Sequence, residues 1–413
     1  MNNKEILLEK FANLIVKSGI NVKEKQIVLV KAPIAAAELV RYIVKEAYLN
    51  KALKVMIDWS DDITSKNEYQ YASIEGLTTI PGGMLERMHY LVDQNAALIS
   101  ITSPNPGLMK DLDPTKIQAV QRVYSKATTF FKEYSMANKG QWCVVAYPNP
   151  NWAKKVFPNL GEDEAVEALL DAILKASHVT LDNDPIADWE KLNKDMATRN
   201  KKLNDYNFVS LHFKNSLGTD LEVGLVEDHI WAGGAEEAGN KQIFNPNIPT
   251  EENFCMPHNK KTNGKVVATK PLNYQGKLID NFYLEFVSGK VVNFYAEKEN
   301  EALEGLVNFD EGSCRLGEVA LIPYDSPINK MNILFYNTLF DENASCHLAL
   351  GASYTTTNLK NAENMSPEEL EERGSNSSMT HVDFMFGSRD MEVVGTTHDG
   401  KKIKIIENGN FII

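Results

Sequence analysis

The chain has 413 residues, of which 43% are apolar and 24% charged, and this is enough sequence and apolar surface for two or three folded domains. Acidic residues outnumber basic ones 56 to 43, so the net charge of −13 argues against a protein that binds nucleic acid through a basic face. No stretch approaches the roughly 20 apolar residues of a membrane helix, and the acidic N-terminus does not fit a signal peptide. We therefore expect a cytoplasmic protein with neither a nucleic-acid nor a membrane partner.

The first part of the chain alternates between helical and strand patterns. Residues 27–30 and 54–58 are short apolar runs typical of buried strands, and a helical pattern over residues 35–49 joins them. Such a βαβ unit predicts two parallel strands. Similar patterns follow as strands at 97–102 and 142–147 and an amphipathic helix at 163–177. We predict an N-terminal α/β domain with a parallel sheet over residues 1–185.

Turn residues at 180–185 interrupt this pattern, and a charged helix over about 186–203 leads into sequence of a different kind. From residue 207 onward, short runs alternate between apolar and polar residues and are separated by glycine-containing turns, as in antiparallel hairpins. The strand patterns lie at 208–213, 221–225, 265–268, 282–286 and 291–296. We predict a second domain over residues 186–413, of mixed α+β type and rich in antiparallel strands, within a chain that is α/β overall.

Several widespread short motifs are missing from the sequence. It contains no GxGxxG, no GxxxxGK[ST], no HExxH and no GxSxG. Without a glycine-rich turn, a phosphate group cannot approach the helix that follows the first strand, so a dinucleotide site there is disfavoured. The predicted parallel sheet then serves as scaffold, and the chemistry is expected in the C-terminal half.

One strand-like run in that half carries residues that bind metals. His381 and Asp383 are two positions apart, so in a strand their side chains point to the same face, opposite an apolar face formed by Val382, Phe384 and Phe386. Taken alone, the run also fits an ordinary half-exposed strand with its polar side outward.

A second cluster lies just before it in the chain. Residues 343–352 are mostly small and predict a helix, which would place His347 and Tyr354 two turns apart on one face and Glu342 at the helix entry. Glu318 stands in an apolar, strand-like run. Glu251 and Glu252 fall in an acidic loop or helix start, and each residue alone permits a purely structural interpretation.

The combination of these residues is more specific than any one of them. Imidazoles suit Zn and Co, and carboxylates suit Mn and Mg. Several carboxylates gathered in one partly buried pocket would repel one another and take up protons unless cations neutralise them. The residue types therefore indicate a site for divalent metal ions.

Four segments, at 246–252, 316–323, 335–351 and 381–387, occur in the order found in the thermophilic-type metalloaminopeptidases, and the chain resembles this family along its full length. The resemblance implies a two-domain homodimer whose C-terminal domain is catalytic and removes single N-terminal residues from peptides with a free N-terminus. It implies two divalent ions per chain (Zn, Co or Mn) and an attacking water. The implied ligands are Glu252, Glu318, Glu342, His347, His381 and Asp383, and the implied catalytic residues are Glu318 and Tyr354.

Two other functions stay open at this point. A metallohydrolase acting on phosphoesters or other amides would share the metal chemistry, but it would need basic residues to hold phosphate, and only Arg315 and Arg389 lie close in sequence. A metal-binding dimer that has lost turnover is the other, and the presence of Glu318 and Tyr354 argues against it.

Overall fold

The computed structural model describes residues 2–413, which form two compact units. One unit contains the chain up to Lys191 and returns for Ala235–Pro249, and the other contains Leu192–Gly234 and Thr250–Ile413. A single helix, Pro185–Tyr206, runs through the position where the sequence predicts a domain boundary. A division into domains at residue 185 therefore stays a proposal.

The first unit is built on a parallel sheet, as predicted. Its four strands lie in the order β2–β1–β3–β4 and all pair in parallel. The bounds are β1 Ile27–Pro33, β2 Lys54–Ser60, β3 Ala97–Thr102 and β4 Trp142–Ala146. Residues 27–30 are at most 3% exposed, which is typical of a parallel strand covered on both faces.

Helices occupy most of the remaining sequence of this unit. They are α1 Asn3–Leu14, α2 Ala37–Leu49, α3 Asp62–Tyr71, α4 Ile74–Thr78, α5 Gly82–Asp93, α6 Pro114–Ala127, α7 Thr129–Met136, α8 Pro150–Val156, α9 Glu162–Ala176 and α10 Pro185–Tyr206, the last shared with the second unit. The predicted helices at 35–49 and 163–177 are thus confirmed. Within residues 2–413, no helix combines the length and apolar character needed to cross a membrane.

The second unit contains a large antiparallel sheet, which confirms the predicted change in character. Its strands follow the order β11–β12–β10–β6–β5–β17–β18–β19, with β13 paired to β12. The bounds are β5 Ser210–Lys214, β6 Asp220–Leu225, β10 Pro257–Val267, β11 Leu272–Tyr274, β12 Lys277–Val287, β13 Lys290–Lys298, β17 Glu392–Thr396, β18 Lys402–Glu407 and β19 Asn410–Phe411. The short pair β7 Glu236–Glu237 and β8 Ile243–Phe244 belongs to the first unit.

A smaller antiparallel sheet carries the residues of interest. Its order is β16–β15–β14–β9, with β9 Asn253–Cys255, β14 Leu316–Leu321, β15 His347–Gly351 and β16 His381–Met385. Val319, Leu348 and Phe384 lie in the apolar core that this sheet shares with the large one. Because strand side chains alternate, the opposite face carries the neighbours of those residues. Short helices complete the unit: α11 Asn300–Val307, α12 Pro327–Met331, α13 Thr338–Asp341, α14 Thr355–Asn358 and α15 Pro367–Glu372.

The prediction of a helix over residues 343–352 is wrong. Glu342–Ala344 form only a 3₁₀ turn after α13, and His347–Gly351 is the strand β15, bonded on both sides to β14 and β16. Small residues do not discriminate strongly between helix and strand, so pairing with two distant segments decides the outcome. His347 and Tyr354 therefore do not share a helical face, and Glu342 does not open a helix. Tyr354 instead precedes α14.

A bulge in β14 determines which way Glu318 points. In a regular strand Leu316 and Glu318 would share a face, but the register shifts between them, so Leu316 enters the core while Glu318 turns to the other side. The intervening residue is Gly317, where an added Cβ would overlap the carbonyl oxygens of Gly351 and Ala352. The backbone approach needed by the bulge thus leaves space for glycine alone.

We predict that Gly317→Ala lowers the free energy of unfolding by about 1–3 kcal/mol, because two backbone oxygens must move to admit the methyl group. Urea unfolding of the purified protein measures this. The matched control is Gly305→Ala in α11, where nothing lies within 4 Å of the new Cβ. It should be neutral or stabilising by up to about 1 kcal/mol. Equal stability of the two variants would contradict the close-packed bulge.

Candidate metal centre

Three adjacent strands of the small sheet bring their polar side chains to one face. Ala349 of β15 lies opposite Glu318 of β14 on one side and opposite Asp383 of β16 on the other. Its single methyl group leaves the space above β15 open between the two carboxylates. His347 and His381 stand at the two ends of this region, opposite Ala320 and Gly351 respectively.

The side chains form two overlapping groups. Glu252, Glu318 and His347 have ligand atoms within 4.8 Å of one another, and so do Glu318, His381 and Asp383. His347 Nε2 lies 3.1 Å from Glu318 Oε1 and 3.4 Å from Glu252 Oε2. His381 Nε2 lies 3.3 Å from Asp383 Oδ1 and 3.8 Å from Glu318 Oε2. Glu318 is the member common to both groups.

Backbone carbonyls hold both imidazoles in one orientation. His347 Nδ1 donates to the carbonyl of Glu342 at 2.8 Å, and His381 Nδ1 donates to the carbonyl of Ala352 at 2.7 Å. A carbonyl only accepts, so Nδ1 carries the proton in each ring, and in the neutral ring Nε2 keeps its lone pair. Both Nε2 atoms face the carboxylates. Metal-binding histidines in proteins are commonly held this way.

Glu342 lies at the edge of this cluster. Its ligand atoms fall outside both groups, although burial and the charges of Glu252, Asp383 and Glu318 raise the pKa of its carboxyl well above the usual range. It adjoins the others closely enough for their charges to act on it. Its backbone carbonyl is also the group that orients His347.

Asn343 ties two of these segments together, and sequence reasoning missed it. Its side chain is 0% exposed; Oδ1 accepts from Glu251 N at 2.8 Å, while Nδ2 donates to Leu339 O at 3.2 Å and reaches Glu342 Oε1 at 3.5 Å. One amide therefore joins the loop that carries Glu252 to the turn that carries Glu342. No local sequence pattern predicts this role, because Glu251, whose backbone N–H donates to Asn343, is 92 residues away in the chain.

Tyr354 lies against the cluster from the end of β15. Its ring centroid is 4.6 Å from that of His381, and the residue as a whole is 41% exposed. Burial and the negative charges of Glu318, Asp383, Glu342 and Glu252 raise the pKa of its hydroxyl. The hydroxyl therefore keeps its proton at neutral pH and can donate a hydrogen bond.

The electrostatics of the cluster suit a divalent cation. Burial and the charge of Glu318 raise the pKa of Glu252 to about 8. Burial alone would lower the pKa of His347 and of His381, but contacts with carboxylates outweigh it and raise each to about 9. Burial alone would raise the pKa of Asp383, but the nearby imidazoles outweigh burial and lower it. Asp383 Oδ1 is buried and makes no hydrogen bond within residues 2–413. Imidazole nitrogens, carboxylate oxygens and a buried acceptor without a hydrogen bond fit Zn, Co or Mn.

The chain is similar to known proteins in family, sequence and structure. The family model for thermophilic metalloproteases (M29) matches residues 4–411. Aminopeptidase 2 of Geobacillus stearothermophilus is 43% identical, with 100% of this chain and 99% of the relative aligned. Aminopeptidase AmpS of Bacillus subtilis is also 43% identical, with 98% of each aligned. The solved structure of wild-type AmpT from Thermus thermophilus matches with a TM-score of 0.90 at 37% identity, covering 98% of this chain and 99% of that one.

These matches define the class of protein, a metalloprotease. The chain belongs to the thermophilic metalloprotease (M29) family, which confirms the resemblance drawn from the four segments. The match to AmpT also confirms the predicted fold class. A divalent metal follows from the family, while the number and identity of the ions belong to the proposal below.

We predict that metal binding at pH 7 releases protons and that metal affinity rises with pH. In the metal-free protein, His347 and His381 with pKa values of about 9, and Glu252 with one of about 8, hold protons that a metal ion must displace. The same raised values favour folding below the unfolded pKa values, and this contribution is lost as pH rises through about 8–9. Calorimetric titration of metal into apoprotein, in two buffers of different ionisation enthalpy, measures the released protons. A buffer-independent binding enthalpy would contradict the assignment.

Proposed function

We propose that the chain is a metal-dependent aminopeptidase that removes single N-terminal residues from peptides, using two divalent ions held in its C-terminal half. The observation that carries the proposal is the pair of overlapping ligand groups that share Glu318. Relatives aligned over nearly their whole length are named aminopeptidases, which supports the substrate class. The proposed ligands are Glu252, Glu318, Glu342, His347, His381 and Asp383.

When bound, divalent ions at such a site lower the pKa of water and polarise a carbonyl group. The side chains of the chain supply the remaining functions. Glu318 lies at the centre of the cluster, 3.1 Å from His347 and 3.8 Å from His381. From that position its carboxylate accepts a proton from the attacking water and passes it to the departing amine.

Tyr354 supplies a neutral donor beside the reacting carbonyl. Its raised pKa keeps the hydroxyl protonated at the pH of the reaction, and its ring packs against His381 at the edge of the cluster. A hydrogen bond from this hydroxyl stabilises the negative charge that develops on the carbonyl oxygen.

The free α-amino group of a peptide supplies a reason for cleavage to stop after one residue. A carboxylate of the pocket or a bound metal ion would hold this group at the end of the substrate. A peptide bond further along the substrate has no cationic amine beside it. We propose, in addition, that the enzyme acts in the cytoplasm as a homodimer, in keeping with the family resemblance.

The alternative of a phosphoester hydrolase gains no support from Arg315, one of the two basic residues that lie close in sequence. Arg315 donates from Nη1 to the backbone carbonyl of Asn259 at 2.6 Å. A guanidinium engaged with the backbone in this way holds structure and is poorly placed to clamp a phosphate group.

Removal of the metals should abolish hydrolysis of aminoacyl p-nitroanilides, and added Zn, Co or Mn should restore it.

His381→Ala should reduce metal content and turnover together. The matched control, Val382→Ala, changes the next residue on the opposite face, where the side chain packs on the core. It should cost roughly 0.5–3 kcal/mol of stability and keep its metal. Full activity of a chain shown to be metal-free by elemental analysis would exclude the proposal.

Tyr354→Phe removes one hydroxyl and keeps the ring that packs against His381. We predict a fall in kcat on the order of 10²–10³, the size expected for one donor to a developing oxyanion, with metal content and KM nearly unchanged. Steady-state kinetics on metal-saturated protein measure this. A variant that turns over within a few fold of the wild type would remove Tyr354 from the mechanism.

A further inference from the structure

A small cavity opens beside the proposed centre, within the second unit. Glu342 and Asp383 form the wall next to the metal ligands, and Met385, Leu272, Tyr336 and Asn337 contribute to the other walls. Its volume is about 40 Å³. The cavity therefore adjoins the place where a scissile bond would be held, and it is too small for a continuing peptide.

The position of Met385 follows from the strand that carries the metal ligands. Met385 comes two residues after Asp383 in β16 and lies opposite His347 of β15. Its side chain therefore lies on the same face as both ligands, while Phe384 enters the core. A flexible thioether at this position forms an apolar wall that begins immediately beside the centre.

The loop on the other side of the cavity is held in one conformation. The carboxylate of Asp341 accepts hydrogen bonds from Phe335 N at 2.7 Å and from Asn337 N at 3.0 Å. Between them, Tyr336 takes φ +56°, a left-handed conformation that is unfavourable for an aromatic residue and clusters at functional sites in proteins. Both Asp341 oxygens are thus used by the loop itself.

Asn337 presents a donor from this loop. Its Oδ1 accepts from Leu339 N at 3.2 Å, whereas its Nδ2 is buried and has no hydrogen-bond partner within residues 2–413. Buried donors are paired in most proteins, so an unpaired one in the wall of a cavity points to a ligand. The amide would donate to a substrate oxygen.

We propose that this cavity receives the side chain of the substrate's N-terminal residue, and that it favours small residues, with Met385 as the size-limiting wall. This inference rests on the proposed aminopeptidase function. The part of the peptide beyond the scissile bond must extend toward solvent, so a cavity of this small volume suits the side chain of the one residue that is removed. Met385 and Leu272 give part of the cavity an apolar wall, and the amide of Asn337 adds a donor, so a short aliphatic or hydroxyl-bearing side chain fits it better than a bulky one.

The test compares kcat/KM for alanyl- and phenylalanyl-p-nitroanilide in metal-loaded protein. Met385→Ala should raise the ratio of phenylalanyl to alanyl hydrolysis on the order of tenfold, because truncating the wall makes room for a larger side chain. Met385→Val should move the ratio in the same direction by a smaller factor. The matched control is Met391→Ala, a methionine that is 1% exposed in the core of the same unit, which should lower stability and leave the ratio unchanged.

The possible outcomes distinguish a failure of the subsite from a failure of the aminopeptidase function. A wild-type protein that prefers phenylalanyl over alanyl substrate, or Met385 variants with full metal content and an unchanged ratio, would overturn the subsite while leaving the aminopeptidase intact. A metal-loaded wild-type protein that hydrolyses no aminoacyl substrate would instead overturn the proposed function. If Met385→Ala does not fold, Met385→Val carries the same comparison.

Discussion

The crowding of carboxylates around two imidazoles in one partly buried pocket is the constraint on which the rest of this structure depends. Two like charges 4 Å apart near a protein surface repel by about 4 kcal/mol, so without cations the cluster must hold protons. The raised pKa values of Glu252, His347 and His381 are the result, because these groups hold protons that reduce the repulsion. A fold that keeps these groups together is therefore suited to binding divalent cations.

The small sheet keeps these groups together because one of its faces packs into the core and the other carries the polar cluster. Leu348 and Phe384 pack into the core, while their neighbours in the same strands face the cluster. The packing that fixes the strands consequently fixes the spacing of the proposed ligands. Ala349 adds the necessary gap, because a larger side chain there would fill the space between Glu318 and Asp383. Stability and chemistry share a backbone but depend on different side chains.

Contacts around the cluster make the arrangement rigid before any substrate arrives. Backbone carbonyls orient both imidazoles, and the amide of Asn343 links two segments that supply carboxylates. The loop fixed by Asp341 forms the far wall of the adjoining cavity. The same short stretch, from Tyr336 to His347, thus contributes to the proposed metal centre and to the proposed substrate subsite. Such preorganisation is what accurate placement of a scissile bond requires.

The sequence by itself determined the features that depend on short-range pattern: the parallel sheet of the first unit, the antiparallel character of the second, and the projection of His381 and Asp383 from one face of a strand. Residue types also indicated the metal. Tertiary structure decided the rest. Residues 347–351 form a strand because two distant strands pair with them, and the bulge beside Glu318 brings Gly317 so close to a neighbouring backbone that only glycine fits. The role of Asn343 likewise depends on a partner far along the chain. Periodicity records which face of an element is apolar, whereas pairing, register and long-range hydrogen bonds form only when the chain folds.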